Sequence, residues 1–181
     1  MRLANVEVRD GRHAGINATG SSRVILDNVT STNHGTHGVV LENATGAIVR
    51  GSRVENVGCS GIRATAGTAA TLDRGNLLVE DNAVSDFARW KRTYQPGMYW
   101  GGCGNTFRDN TIKHGPHNGF LGGGNFEDGV DMLFEGNTIE DCSRLGGHRR
   151  GSRRGAAGHS QAAPRRHRGY LVDIPRPSRP G

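Results

Sequence analysis

The chain has 181 residues, of which only 34% are hydrophobic and 29 are glycine. This composition argues against a compact globule with one large core and is typical of a solenoid, in which each coil buries a few residues against its neighbours. The net charge of +6 is unevenly distributed along the chain. Residues 143–181 hold ten arginines and one acid, whereas residues 1–142 hold 13 basic and 16 acidic residues, a net charge of −3. This asymmetry excludes a uniformly basic domain.

Residues 1–142 repeat with a period of about 25 residues, and Asn, Asp, Ser and Gly, which tolerate tight turns, separate the apolar positions. The apolar anchors of the repeat are Val6, Val29, Val54, Val84, Ile112 and Ile139. A second apolar column lies five residues earlier, at Val24, Val49, Val79, Phe107 and Phe134. Pairs of glycine and a hydrophobic residue form the third column, at Gly15-Ile16, Gly38-Val39, Gly61-Ile62, Gly97-Met98 and Gly119-Phe120. Three columns in phase predict three short strands per coil, and hence an all-β fold, a right-handed parallel β-helix (solenoid) of about five to six coils.

A polar column accompanies the apolar ones, two residues before the anchors. It contains Asp27, Ser52, Asn82, Asn110 and Asn137, and the first coil departs from it with Ala4. We expect its asparagines to stack along the axis, side chain bonding to side chain, as Asn ladders do in other stacked-strand structures. A β-sandwich would explain strands at intervals of roughly 8–12 residues, but not three columns in phase. Helices are disfavoured because few segments show a 3.6-residue period.

Insertions lengthen the later coils, and in solenoids insertions project as loops, often on the binding face. Such loops are predicted at Gly67 to Gly75, Phe87 to Pro96 and Gly122 to Gly129. In an earlier coil, His34 and His37 stand beside glycines and have no acidic partner at ligand spacing. We interpret these two histidines as turn residues.

The second insertion carries the densest group of candidate binding residues: Arg89, Trp90, Lys91, Arg92 and Tyr94. Aromatic faces stack on sugar rings, and cationic side chains pair with uronate or sulfate groups. We therefore predict contacts with an anionic glycan here, with Arg92 also a catalytic candidate. The competing interpretation is that the two aromatic residues pin the loop to the solenoid wall. Tyr99 and Trp100, just beyond, would either extend the platform or cover the hydrophobic end of a coil.

The next coil offers catalytic candidates in a short turn that contains His114, His117 and Asn118. A histidine near a cation could act as base or acid in β-elimination from a uronate, because neutralising the carboxylate acidifies the adjacent proton. Lys113 and Arg108 could supply that cation. The glycine and proline of the segment require a turn in any case, so a purely structural interpretation also holds.

Several carboxylates suggest a weaker alternative, which is a metal site or glycoside hydrolysis. Glycoside hydrolysis requires two carboxyl groups about 5–10 Å apart. The candidates are Glu127, Asp128 and Asp131, or acids on adjacent coils such as Asp109 and Glu135. Calcium is kept as a candidate ligand, although the glycine run at 122–124 lacks the tandem repetition and aspartate position of a calcium nonapeptide. No other cofactor and no metal-binding residue are predicted.

The repeat pattern stops after Cys142. Residues 143–181 hold ten of the arginines and four of the six prolines, a composition that predicts a disordered basic tail. Three interpretations compete: a basic arm that binds nucleic acid or an anionic glycan, a natural disordered terminus, or a segment that is not the native continuation of the repeat. We favour the last, because arginine, glycine, alanine and proline without lysine are what GC-rich DNA yields in a wrong frame.

The stretch Asp86–Cys142 resembles bacterial secreted right-handed β-helix proteins, in the broad group with pectate-lyase-like and chondroitinase-B-like folds. Its characteristic runs are Arg89–Pro96, Gly104-Asn105, Asp109–Ile112, Pro116–Gly119 and Phe134–Ile139. The resemblance implies an extracellular or periplasmic location and further coils after Cys142, in place of the arginine-rich tail. The resemblance identifies the fold specifically but says little about activity, because lyases, hydrolases, epimerases and non-enzymes all adopt this fold.

Together these patterns predict a carbohydrate-active or carbohydrate-binding β-helix fragment that acts on an extended, anionic polysaccharide. Lyase chemistry is favoured over hydrolysis because cationic residues outnumber acids around the predicted groove. The alternative is a non-catalytic repeat module without activity. We expect a monomer. No stretch approaches the ~20 apolar residues of a membrane span, so we expect no contact with a membrane. Nucleic acid would bind only through the basic tail. No signal peptide opens the chain, so we expect its start to be internal to a longer protein.

Overall fold

The computed structural model describes residues 1–122 and 129–142, which form a right-handed parallel β-helix built from strands and turns. The predicted basic tail at 143–181, Glu127, Asp128 and most of the Gly122–Gly129 insertion lie outside the described residues. Within the described part, no helix is long and apolar enough to cross a membrane. The strands are β1 (Arg2–Arg9), β2 (Ile16–Asn17), β3 (Ile25–His34), β4 (Val39–Glu42), β5 (Ile48–Arg50), β6 (Arg53–Val57), β7 (Ile62–Thr68), β8 (Asp73–Arg74), β9 (Leu78–Glu80), β10 (Ala83–Ser85), β11 (Met98–Cys103), β12 (Thr106–Arg108), β13 (Thr111–Gly115), β14 (Phe120–Gly122), β15 (Gly129–Val130), β16 (Leu133–Glu135) and β17 (Thr138–Cys142).

Each coil contributes three strand segments, and equivalent segments pair in parallel with the coil above and below. The first segments stack in the order β16-β12-β9-β5-β3, and the second segments continue the same sheet as β3-β6-β10-β13-β17, because the long strand β3 spans both faces. The third segments form a separate sheet, in the order β14-β11-β7-β4-β2. The short strand β8 is the exception, since it pairs antiparallel with β7 and forms a hairpin at the Gly67–Gly75 insertion.

The core fills the space between the three faces with apolar side chains from all three segments, and some segments supply more than one, as β4 does with Val39 and Leu41. Phe107 of the first face stacks on Phe134 with ring centroids 5.3 Å apart, and Phe120 of the third face packs edge-on against both. The predicted pairs of glycine and a hydrophobic residue align in register through all five coils. At Gly97 a Cβ would lie only 2.3 Å from Ile112 Cγ2, so the anchor side chain of the next coil occupies the space that any larger residue would need.

The predicted anchors are correct from the third coil onward and wrong by two residues in the first two coils. Ser31, not Val29, pairs with Val54, and Val8 is the equivalent residue of the first coil. The Ser31 side chain is fully buried, and its Oγ donates a hydrogen bond of 3.0 Å to the carbonyl of Gly38. A serine whose hydroxyl is satisfied can occupy a core position, and an apolar pattern does not detect it.

The same shift corrects two other predicted columns. Leu26, not Val24, aligns with Val49 on the first face. Val29 replaces Asp27 in the polar column, because its backbone amide donates to Ser52 Oγ at 3.0 Å. Asp27 instead faces outward in register with the arginine that follows Val49.

The predicted asparagine ladder is confirmed. Asn82 Nδ2 donates to Asn110 Oδ1 at 3.0 Å, and Asn110 Nδ2 donates to Asn137 Oδ1 at 2.9 Å. Each amide nitrogen also donates to a backbone carbonyl of the preceding coil, to Val49 and Val79 in the first two cases. The ladder therefore ties adjacent coils together through buried, fully used amide groups, which specifies their register.

A second ladder, of alternating charge, runs along the outer surface of the first face. Its members stand one per coil and in register: Asp27, Arg50, Glu80, Arg108 and Glu135. Asp27 accepts hydrogen bonds from Arg50 at 2.8 Å and Arg2 at 2.7 Å, and these contacts lower the pKa of its carboxyl to about 2. Exposed pairs of this kind add little stability individually.

Candidate functional site

A single corner of the solenoid, between the second and third segments of each coil, carries the predicted site. The corner begins with one residue per coil in the left-handed backbone region, with φ between 48° and 60°: Asp10, Asn33, Asn56, Asp86, His114 and Asp141. Asn and Asp adopt this conformation more readily than other non-glycine residues. Because Ser85 pairs with Lys113 one residue earlier, Asp86 and His114 occupy equivalent places in adjacent coils, which lie about 4.8 Å apart.

The early corner residues form a hydrogen-bonded chain that ends on the predicted binding loop. Asn33 Nδ2 donates to Asp10 Oδ1, and Asn56 Nδ2 donates to Asn33 Oδ1 at 3.0 Å. The guanidinium of Arg89 donates to Asn56 Oδ1. Arg89, predicted to bind substrate, is thus engaged by the solenoid and holds the loop in place.

The base of the Phe87–Pro96 loop is packed and hydrogen-bonded. The side chain of Phe87 is fully buried in the core. The backbone amides of residues 88–91 donate to the carbonyls of residues 57–59 in the preceding coil. Gln95 Oε1 accepts hydrogen bonds from the amide and the hydroxyl of Ser60, at 3.1 and 2.8 Å. A loop with so many contacts at its base presents its tip in a defined position.

The two aromatic residues of the loop project into solvent. Trp90 is 81% exposed and Tyr94 is 72% exposed. The interpretation that these rings pin the loop to the wall is therefore wrong, and Phe87 has that role. A large exposed ring on an anchored loop is available to a partner.

An open depression of about 450 Å³ lies between this loop and the turn of the next coil. Its lining residues are Asp86, Phe87, Ala88, Arg89, Trp90, Arg92, His114 and Pro116. The structure thus brings together four of the predicted residues, Arg89, Trp90, Arg92 and His114, although 22 positions separate the last two. It adds Asp86, which sequence reasoning missed.

His117 and Asn118 lie at the edge of this arrangement. The ring of His117 is buried, 6.2 Å from the ring of Tyr94, and burial lowers its pKa below the usual range. Its Nδ1 is buried and has no hydrogen-bond partner among the described residues. Asn118 is half-buried, and its carbonyl accepts the amide of Gly97 at 3.1 Å. Neither residue lines the depression, and His114 is the histidine that does.

Trp100 and Tyr99 point in opposite directions. Trp100 aligns with the buried Ala64 and packs edge-on against Phe134, with centroids 5.2 Å apart, so its ring belongs to the core and we leave it out of the binding site. Tyr99 faces outward on the third face, and Arg63 lies over its ring at 4.3 Å.

The remaining candidates lie elsewhere. Arg108 pairs with Glu80 on the first face, and Lys113 faces outward on the second face between Ser85 and Glu140. Asp131 pairs with the guanidinium of Arg74.

Among the described residues, the structure adds no support for a role of the other predicted acids or for a metal site. The hydrogen bond to Glu80 is the main cause that raises the pKa of Arg108, and the charges of Asp109 and Glu135 add smaller contributions. Within 1–122 and 129–142, no group of three or more His, Cys, Asp or Glu side chains is arranged to hold a metal ion. Of the two histidines interpreted as turn residues, His34 instead ends strand β3, where its buried ring accepts the amide of Gly11 through Nδ1 at 3.1 Å.

Comparison with known proteins agrees with this architecture. The family model of the right handed beta helix region matches residues 1–88. No curated protein and no solved structure matches the chain. The same parallel pairing of strands between successive coils continues beyond the matched residues, from β11 through β17.

Proposed function

We propose that this right-handed β-helix repeat protein binds an extended, anionic polysaccharide in the depression beside the Phe87–Pro96 loop. The observation that carries the proposal is the placement of an exposed tryptophan, Trp90, beside Arg92 and His114 around one open depression. This combination offers a ring face, a guanidinium and an imidazole, the groups that recognise an acidic sugar. A protein with such a partner acts where the polymer is, and we propose an extracellular or periplasmic location.

The aromatic residues supply the affinity for sugar rings. A tryptophan face covers the apolar C–H side of a pyranose, and the apolar area buried there stabilises the complex by about 25 cal/mol per Å². Trp90 is held by backbone hydrogen bonds to the preceding coil, so little conformational freedom of the loop is lost on binding. Tyr94, also exposed, offers a second ring on the same loop.

The charged residues favour an acidic sugar. Arg89 and Arg92 line the depression together with a single carboxylate, that of Asp86. Arg89 already donates to Asn56, so Arg92 is the cation we assign to the carboxylate or sulfate of the ligand. A guanidinium pairs with a carboxylate through two parallel hydrogen bonds, which adds orientation to affinity.

The finer proposal is β-elimination rather than hydrolysis. Arg92 would neutralise the uronate carboxylate, and His114 would take the proton from the adjacent carbon as general base. The electron pair of the broken C–H bond would form a double bond to the neighbouring carbon as the bond from that carbon to the glycosidic oxygen breaks. The oxygen would leave with its electron pair and take a proton from solvent water. Hydrolysis by the usual route needs two carboxyl groups on either side of the bond, and Asp86 is the one carboxylate in the described lining. Asp86, one coil away, would stabilise the imidazolium.

Binding and turnover can be tested separately with one panel of uronate polymers and a neutral glucan. Trp90→Ala should weaken binding of the preferred uronate polymer by about two- to tenfold, and Arg92→Gln should reduce the preference over the neutral glucan. Arg53→Gln is the matched control, since Arg53 is an exposed arginine that pairs with Glu55 away from the depression.

His114→Ala should abolish the ultraviolet absorbance of unsaturated products and leave binding intact. Binding without turnover in the unmutated protein would refute the lyase chemistry and favour a non-catalytic repeat module. No binding to any acidic polymer would refute the proposed function itself.

A further inference from the structure

A second polar cluster lies on the outer surface of the third face. Arg63 of β7 is its centre. Its Nε donates to Glu42 Oε1 of the preceding coil at 2.7 Å, and its Cζ lies 4.3 Å from the centre of the Tyr99 ring in the following coil. Residues of three successive coils thus hold this guanidinium in place over an aromatic ring.

Lys91 and His37 complete the cluster. The amide of Lys91 donates to the carbonyl of Gly58 at 3.0 Å, which places Lys91 against the third coil, and its side chain is exposed. The positive charges of Lys91 and Arg63 both reach His37, whose pKa is lowered by burial first and by these cations in addition. Glu42 acts on His37 in the opposite direction. His37 Nδ1 is buried and has no hydrogen-bond partner among the described residues.

The cluster carries more positive than negative charge. Arg63 and Lys91 face one carboxylate, Glu42, so a single positive charge remains uncompensated while His37 is neutral. The thiol of Cys59 lies in the same positive field, although burial raises its pKa, so it adds no charge. A ligand that completes this cluster therefore carries a negative group and offers an acceptor.

The position of the cluster relates it to the depression. The cluster draws on coils two to four, whereas the depression draws on coils four and five, and the Phe87–Pro96 loop contributes Lys91 to the first and Arg92 to the second. Arg63, Tyr99 and Leu121 stand in register along the third face, and the equivalent residue of the second coil, Val40, is buried. Coils repeat every 4.8 Å or so, close to the length of one sugar residue in an extended chain.

We infer that the Arg63 cluster is a second subsite for the same polysaccharide, which lies parallel to the solenoid axis and crosses the Phe87–Pro96 loop. One acidic sugar sits in the depression against Arg92, and another, two residues along the chain, places its carboxylate or sulfate against Arg63 and Lys91. Tyr99 and the loop support the sugar between them. This inference rests on the proposed function and specifies its ligand as an acidic oligosaccharide of at least three residues.

The test is the dependence of affinity on oligosaccharide length, measured by calorimetry with uronate oligomers from two to six residues. Affinity of the unmutated protein should rise about tenfold once the oligomer reaches three residues, and the double variant Arg63→Gln, Lys91→Gln should lose that rise while its affinity for the disaccharide stays unchanged. Glu42→Gln, which removes the competing carboxylate, should strengthen binding of the hexamer. Arg108→Gln is the matched control, because Arg108 makes the same kind of arginine–glutamate pair on the first face.

The outcomes separate this inference from the proposal on which it rests. Equal affinity of the double variant and the unmutated protein for the hexamer, or no gain with length in the unmutated protein, would overturn the second subsite and leave the depression in place. Failure of the unmutated protein to bind any oligomer would overturn the proposed function and the subsite together. Circular dichroism of the double variant shows whether the coils remain intact, and the Glu42→Gln gain tests the same electrostatics without removing a cation.

Discussion

Replacing Asn110 by alanine is the most informative perturbation of the scaffold that positions the site. Asn110 is fully buried, and its side chain makes four hydrogen bonds. Its Nδ2 donates to Val79 O and Asn137 Oδ1, both at 2.9 Å, and its Oδ1 accepts from the amide and the side chain of Asn82, at 3.1 and 3.0 Å. The alanine variant loses all four and leaves buried polar groups without partners.

The expected loss follows from these contacts. Each net hydrogen bond contributes about 1 kcal/mol, and a buried group left unpaired costs about 1–3 kcal/mol. Four bonds between adjacent coils therefore amount to a destabilisation of about 4 kcal/mol, a large share of the roughly 5–15 kcal/mol available to a typical domain. The loss should appear in the free energy of unfolding, measured by circular dichroism in urea.

Asn17→Ala is the matched control, because Asn17 is exposed and its side chain accepts hydrogen bonds from Thr19 alone. Its cost should stay within about 1 kcal/mol. An Asn110→Ala variant that loses no more than the Asn17→Ala variant would refute the argument that the amide ladder fixes the stacking of the coils.

Three further predictions address the packing, the charge ladder and the loop. Gly97→Ala should destabilise the protein by about 1–3 kcal/mol in the same urea assay, because its Cβ would lie 2.3 Å from Ile112 Cγ2; an unchanged midpoint would contradict the close packing. Asp27 has a pKa lowered to about 2, so its ion pairs stabilise the fold above the unfolded value near 3.9 and this stabilisation is lost as the pH falls toward 2. Thermal melts should show this acid-dependent loss in the unmutated protein and less of it in Asp27→Asn. Asn56→Ala removes the acceptor for Arg89, and we expect faster proteolysis within the Phe87–Pro96 loop, with no change in the rest of the chain.

The apolar pattern predicted the fold because most core positions of the solenoid hold hydrophobic residues, which recur at the same place in successive coils. Val54, Val84, Ile112 and Ile139 are each the anchor that the structure pairs with the next. The pattern failed at Ser31, a fully buried hydroxyl satisfied by a backbone carbonyl. Hydrogen bonding within the fold, which a pattern of hydrophobicity does not report, decides such positions.

That error of register concealed only the early part of the corner. With the anchor of the second coil misplaced, Asn33 does not line up with the later corner residues. Asp86 and His114 each lie two residues after a correctly predicted anchor, Val84 and Ile112. The signal that relates these two residues was therefore present in the sequence.

Other features of the site depend on three-dimensional packing that spacing cannot reveal. Trp90 and Trp100 are the same type of residue, yet Trp90 is exposed and Trp100 is partly buried against the core. Strand register decides this difference, because Trp100 falls on an inward position of β11. Similarly, Arg89 bonds to Asn56, 33 positions away in the chain, and only the stacked coils bring the two together.

The most direct test of glycan binding at the loop is the intrinsic fluorescence of Trp90 during titration with an acidic oligosaccharide. The chain has two tryptophans, and Trp100 is packed against the core, so the solvent-exposed emission belongs to Trp90. We predict a saturable shift of this emission to shorter wavelength with a uronate hexamer, none with a neutral glucan, and none in the Trp90→Phe variant. An unmutated protein whose emission stays constant through the titration, or a variant that reports the same shift, would contradict the account.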